Sequence, residues 1–333
     1  MEFQPKPDYI KVCFHHTVSK SGHVLFRSFF MLLVKGILCM IVVGMFWTAF
    51  GFAMGKAPKK NASVSLIMLV NSLLCMAIAI CTAIVSEKPN VPFSVMFWTM
   101  ASVFIGGIIN YFQLDLMSIA MKNGPNGIVW SLIQAGFIFP FSMGILFFGA
   151  DKTVFNISGV ILIIVSLTLF GIAKDINATG KWKLATMSAF VITGACQILG
   201  NLPSYFKEAE PVTSTWRTIA GTSGVASGAI LCMLIRDHRG FVTKLKEHLS
   251  NRSMWLLCAP LVFVSLTNSL FFLYPGMNML AQANVGSIAY PLAMGSSVVA
   301  FEIYTIVLLH EKRNALQITA LLIMMLGMVS LCF

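Results

Sequence analysis

Soluble sequence is what this chain has least of. Across 333 residues it carries 12 acidic side chains, and charged residues make up 11% of the whole. The longest hydrophilic stretch between apolar runs, Arg236 to Arg252, is the length of a loop, which excludes a second soluble domain. No glycine-rich phosphate loop occurs, so nothing points to an ATP-driven pump or to nucleic-acid binding. The eight cysteines (Cys13, Cys39, Cys75, Cys81, Cys196, Cys232, Cys258 and Cys332) show neither disulfide-framework nor zinc spacing and are expected as small core residues. His15, His16 and His23, with Cys13 close by, do not form a recognised ligand spacing, so no metal is expected, and no cofactor either. Paired carboxylates and histidine clusters are missing from the apolar runs. No catalytic residue is expected, which disfavours an intramembrane enzyme.

What the chain has in abundance is apolar sequence: 57% hydrophobic residues and a mean hydropathy of +0.84. A helix needs about 20 apolar residues to cross the hydrocarbon core, and in lipid only helices or closed barrels satisfy every backbone polar group. Ten such stretches are expected: Phe29–Gly55, Ser63–Val85, Pro92–Met121, Pro125–Phe148, Val154–Ala173, Lys183–Tyr205, Val212–Ile235, Ser253–Tyr274, Asn284–Leu309 and Ala315–Phe333. Nine or eleven are the alternative counts. The breaks carry helix-stopping chemistry, as in Lys56-Ala57-Pro58, Glu87-Lys88-Pro89-Asn90, Asn123-Gly124-Pro125 and Glu210-Pro211. The expected class is an all-α polytopic membrane protein.

The net charge of +11 bears on orientation. Basic residues in short loops mark the cytoplasmic side. Even-numbered connections hold Lys88, Lys152 and Lys207, whereas odd-numbered ones hold the remaining loop lysines and arginines, Lys56, Lys59 and Lys60 among them. That bias places both termini on the non-cytoplasmic face. The N-terminal tail, residues 1–28, objects with Lys6, Lys11, Lys20 and Arg27; translation starting at Met31 would remove the conflict, and the opposite orientation is the other way out.

A shift of 160 residues lays the fourth and fifth spans on the ninth and tenth. Ile128 meets Ile288, Trp130 meets Tyr290, Phe141 meets Phe301, and Asp151-Lys152 falls on Glu311-Lys312. A repeat of five helices follows, residues 29–173 and 174–333. Five is odd, so the second copy enters the membrane inverted, the architecture of many secondary transporters. In Val285–Leu331, Leu308-Leu309-His310-Glu311-Lys312-Arg313 is followed by Gln317-Ile318-Thr319 and Gly327. That segment resembles the closing repeat of the drug/metabolite transporter superfamily, EamA type. Gly127–Gly171, with Phe148-Gly149-Ala150-Asp151-Lys152 and Gly159, resembles the first repeat, and the texture is also similar to the rhamnose and glucose/ribose uptake branch. Two departures stand out: Asp151 where Glu is usual, and His310 before Glu311 where Gly is usual. The resemblance implies ten helices, a central cavity between the halves, and transport of small organic solutes by alternating access.

Polar groups inside a span tend to face the bundle interior or a wet cavity. Asn126, Trp130 and Gln134 recur every four residues and share one stripe. Tyr290 lies on the related face of the ninth span. Gln197 and Asn201 share a face of the sixth, Asn110 and Gln113 one of the third; Asn268 and Trp47 sit mid-span in the eighth and first. Trp47, Asn110, Gln113, Trp130, Gln134, Gln197, Asn201, Asn268 and Tyr290 are therefore the candidate solute-binding residues, since amides and aromatic rings suit a polyhydroxy or zwitterionic solute. Hydrogen bonding between helices without a solute is the competing role for each.

Asp115, Arg217 and Glu302 lie within spans. Glu302 is too deep to snorkel, and desolvation disfavours an ionised carboxyl; it is the candidate proton-coupling residue, with an ion pair to Arg217 as its structural alternative. Arg217 lies near enough to a span end to reach the interface along its stem, and Asp115 is expected to cap or to pair with Lys122. Gly51/Gly55 and Gly224/Gly228 are candidate packing faces. Pro140 and Pro291 are expected to bend the fourth and ninth spans.

The expected function is a secondary transporter in the cell membrane. It would move a small polar organic solute, sugar- or amino-acid-like, with a coupling proton or cation, as a monomer or homodimer among membrane lipid. A non-transporting scaffold or receptor is the alternative, and its large docking loops are missing.

Overall fold

The computed structural model describes residues 20–86, 89–149, 153–172, 181–237, 246–247, 249–283 and 285–331, and these are helical, with no strand among them. Residues 1–19, Asp151-Lys152, Asn284 and Cys332 lie outside the described residues, and with them the acid–base pair of the first repeat and most of the N-terminal tail. The helices are α1 (Lys20–Lys56), α2 (Val64–Val85), α3 (Phe93–Asn123), α4 (Asn126–Gln134), α5 (Ile138–Phe147), α6 (Val154–Ile172), α7 (Lys181–Asn201), α8 (Ser214–Asp237), α9 (Arg252–Thr267), α10 (Tyr274–Gln282), α11 (Ala289–Val307) and α12 (Ala315–Ser330). Helix α1 begins at Lys20 rather than Phe29, so the end of the expected tail continues the first helix.

Eight helical segments are long and apolar enough to cross a bilayer, and two more, Val154–Leu169 and Ala315–Ser330, are apolar but shorter. The bundle is arranged for lipid. Val85 (89% exposed), Phe263 (68%) and Leu326 stand on the outside, while Gln134, Gln197, Glu302 and Arg217 are buried. A water-soluble protein places these classes the other way round.

Local chemistry sets the helix ends. Ser63 accepts from the Leu66 amide at 3.3 Å and caps α2. Asn314 and Gln317 exchange side-chain and backbone bonds in a capping box that starts α12. Prolines explain the interruptions. Pro140 cannot donate to the carbonyl of Gly136, and the chain between α4 and α5 tightens into a 3-10 turn over Ala135–Phe137. Pro275 has the same effect on Phe271, where a wide π turn, Asn268–Leu273, joins α9 to α10. Pro291 bends nothing: α11 starts at Ala289, which puts this proline in a first turn whose amides have no helical acceptor.

Helix α3 packs along α7 and α8, α2 along α8 and α9, and α6 along α12; α1 packs along α11 and the α9–α10 unit, and α7 along the α4–α5 unit. Glycines permit the closest crossings. A Cβ on Gly224 would run into the Phe104 carbonyl, and one on Gly107 into the Gly221 carbonyl, so α3 and α8 touch through their backbones. Gly228 continues that seam against Tyr111. Gly159 and Gly327 face each other across α6 and α12, where Ser166 donates to the Ala320 carbonyl at 2.6 Å.

Candidate functional site

Helix α4 begins directly after α3, and its first amides have no helical acceptor. Glu311, in the turn after α11, supplies one. Its carboxylate accepts from the Asn126 amide at 2.9 Å, from Asn126 Nδ2 at 2.7 Å and from the Gly127 amide at 3.2 Å. A carboxylate is favoured there by the positive end of the helix dipole. Arg313 then ties this cap to the membrane interior. Its Nη2 lies 2.9 Å from Glu311 Oε2, 3.2 Å from Glu302 Oε2 and 3.2 Å from Thr305 Oγ1. Ser131 donates to the other oxygen of Glu302 at 3.0 Å. Both Arg313 and Glu302 are 6% exposed at the side chain. Two carboxylates thus share one guanidinium, Glu311 capping the N-terminus of α4 and Glu302 bonded to Ser131 further along it. Gly127 admits the cluster because a Cβ there would collide with Arg313 Nη2 and lie 2.6 Å from Glu302 Oε1.

One helical turn further along α4, Trp130 Nε1 donates to Ser297 Oγ on α11 at 3.1 Å, and Gln134 Nε2 reaches the same hydroxyl at 3.3 Å. Trp130 also packs on Phe301, with centroids 4.9 Å apart, and Gly51 of α1 leaves room for both rings. Tyr290 stacks on Trp47 at 6.3 Å, and its hydroxyl lies close to Gly200 of α7. Gln197 of α7 reaches the sulfur of Met294 at 3.8 Å, and its Oε1 has no partner. Asn201 donates to the Tyr205 hydroxyl at 3.3 Å, and Tyr205 stacks flat on Phe148 at 4.1 Å. Trp47, Trp130, Gln134, Gln197, Asn201 and Tyr290 are therefore brought along one buried seam where α4 and α11 meet α1 and α7.

Three candidates stand apart from it. Gln113 is buried on α3 against Met117, Asn110 is half-buried on the same helix, and Asn268 sits in the π turn with its oxygen unpartnered. Asn126 shares the stripe of Trp130 and Gln134, as its spacing requires, but its side chain is taken up by Glu311. Two cavities, of about 360 and 60 Å3, open on the flank of α1 rather than in the seam.

The ion pairs correct three expectations. Glu302 pairs with Arg313 and not with Arg217. Asp115 pairs with Arg236 through both oxygens, at 3.0 and 2.6 Å, and not with Lys122. Arg217 does not reach the interface along its stem: it is 0% exposed, and its guanidinium bonds Ser204 at 3.1 Å, Asn278 at 3.2 Å and the Ala209 carbonyl at 3.0 Å, over the Tyr274 ring. The Asp115–Arg236 pair joins the end of α3 to the end of α8, so Arg217, 19 residues earlier on α8, lies about 28 Å away at the opposite end of the bundle. Arg236 is half exposed, so the buried arginines that tie helices together are Arg313 at its end of the bundle and Arg217 at the other. Sequence reasoning missed Arg313, Glu311 and Ser297. Arg313 lies in a loop run that otherwise reports only membrane orientation, and a lone serine in an apolar helix carries no signal.

No protein family model matches the chain, and no curated protein matches it. Solved structures do: one described only as a crystal structure of a protein aligns over 89% of this chain and 96% of its own length, with a TM-score of 0.57 at 12% identity. At that identity the likeness is one of fold. Helices of this length and surface, around a buried polar seam, define a multi-pass α-helical membrane protein.

Proposed function

We propose that this protein is a secondary transporter of the drug/metabolite type. It would move a small polar organic solute across the cell membrane by alternating access, without covalent chemistry. In this reading ten helices form two inverted repeats of five: α1, α2, α3, α4–α5 and α6 correspond to α7, α8, α9–α10, α11 and α12. One observation carries the reading. Exchanging each helix for its counterpart maps the most extensive packing pairs onto one another: α3 on α7 becomes α9–α10 on α1, and α1 on α11 becomes α7 on α4–α5. The contacts α2 on α8 and α6 on α12 map onto themselves. Two halves so related make inward-open and outward-open states close in energy. The left-handed residues Gly149 (φ 66°) and His310 (φ 50°) each lie in the turn after their helix, α5 and α11, one position apart in the 160-residue register.

The solute site in this reading is the seam of Trp47, Trp130, Gln134, Gln197, Asn201 and Tyr290, held closed by Arg313 at one end and Arg217 at the other. Each end opens when its arginine releases. Protonation of Glu302 would cancel its attraction to Arg313 and leave that guanidinium to Glu311 alone, a weaker hold on that end, which gives Glu302 its proton-coupling role. The test is uptake into proteoliposomes of sugars, amino acids and nucleosides, preceded by a thermal-shift screen of the same compounds. Ligands that bind the folded state raise Tm by mass action. Saturable uptake lost in Trp130→Ala and pH-independent in Glu302→Gln is the expected result; no uptake or shift with any compound class would refute the reading.

A further inference from the structure

On the flank of α1, a cavity of about 360 Å3 lies between α1, α9 and α11. That volume falls in the range of small-molecule sites, roughly 300–1,000 Å3. Its walls are the apolar Ala49, Phe52, Leu257 and Pro260, with Thr48 at the rim and Tyr304 behind. Leu257 and Leu261 lie five and nine residues into α9, about 8 and 14 Å below its first turn, so the cavity is at acyl-chain depth. Phe52 and Tyr304 also wall the second cavity, of about 60 Å3, whose other lining includes Lys56, Lys59 and Asn126. The Lys56 ammonium stands 4.3 Å from the Phe52 ring centroid, over the shared wall.

Charge and hydrogen bonding there are incomplete. Among the described residues neither Lys56 nor Lys59 has a carboxylate within ion-pair distance. Asn126 is buried, and its Oδ1 has no donor. The nearby Glu311 carboxylate is already occupied by helix amides and Arg313. An apolar slot at chain depth, two uncompensated ammonium groups at its upper end and a free acceptor beside them fit one amphiphile. We propose that this flank binds a phospholipid with an anionic, hydroxyl-bearing headgroup, its acyl chain between α1 and α9 and its phosphate against Lys56 and Lys59. Bound there, the lipid would touch Asn126, the first residue of the helix that Glu311 and Arg313 hold. The proposal rests on membrane insertion and stands whether or not the protein transports a solute.

The experiment is native mass spectrometry of the full chain from detergent, with phosphatidylglycerol and phosphatidylcholine of identical acyl chains. Near-surface lysines attract anionic lipid strongly enough that two predict a preference of roughly thirtyfold. Lys56→Gln with Lys59→Gln should abolish that preference and leave the lipid-free Tm unchanged. Ala49→Trp, which fills the slot, should reduce retention of both lipids; Thr48→Trp at the rim replaces it if that variant does not fold. Equal retention of the two lipids, or a preference that survives the glutamines, overturns the proposal. So does retention unaffected by the tryptophan, or displacement by glycerol 3-phosphate alone.

Discussion

Replacing Arg313 by methionine removes the one cation that, among the described residues, Glu302 and Glu311 share, while keeping most of the side-chain volume. At 3.2 Å and an effective dielectric of about 20, the attraction between Arg313 and Glu302 is about 5 kcal/mol. Desolvation offsets much of it in the intact protein, but removal of one partner exposes the full penalty of the other. Glu311 keeps the amides of α4, whereas Glu302 keeps only Ser131 and Thr305. The expected loss in Arg313→Met is about 3–5 kcal/mol, a fall in Tm on the order of 5–10 °C. Adding Glu302→Gln removes the stranded charge, so the double variant should be more stable than the single one by about 2 kcal/mol or more. The assay is thermal unfolding of the purified full chain in detergent, read for all four members of the cycle. A double variant that is less stable than Arg313→Met would refute the assigned pairing.

Arg217→Met tests the clamp at the other end. Methionine there leaves the Asn278 and Ala209 oxygens without their donor and should cost roughly 1–3 kcal/mol in thermal unfolding; if the residue also gates, uptake in proteoliposomes falls even where the variant is fully folded. Gly127→Ala has no room for its methyl group and should cost roughly 1–3 kcal/mol, read as a lowered Tm. His310→Val places a β-branched residue at φ 50° and should cost about 1–2 kcal/mol, whereas His310→Gly should hold or raise Tm. Ser297→Ala removes the hydroxyl that both Trp130 and Gln134 share and should abolish any solute-induced Tm shift, with a loss of about 1 kcal/mol in basal stability.

The length and composition of the apolar runs decided the class of this protein, because a bilayer admits few solutions to the backbone hydrogen-bond problem. The asparagine caps at Asn251 and Asn314 went unread, but the breaks at Pro58 and Pro125 were equally legible, because a proline acts within a few residues of itself. So was the stripe of Asn126, Trp130 and Gln134, since helical periodicity fixes which side chains share a face. The same periodicity says nothing about what that face meets. Asn126 bonds a carboxylate 185 residues away, and Trp130 a hydroxyl 167 residues away.

Charge partners were where sequence reasoning failed, with Glu302, Asp115 and Arg217 all assigned the wrong company. Ion pairing depends on distances of a few ångströms, and neighbouring residues on one helix compete poorly with a side chain from another helix that arrives at the right height. Lys122 is closer to Asp115 in sequence, but Arg236 offers a planar fork from the facing end of α8. Sequence alone thus determined the solvent, the helices and their polar faces. Only the packing of helices decided which charges meet, where a glycine is obligatory, and that one arginine is buried at each end.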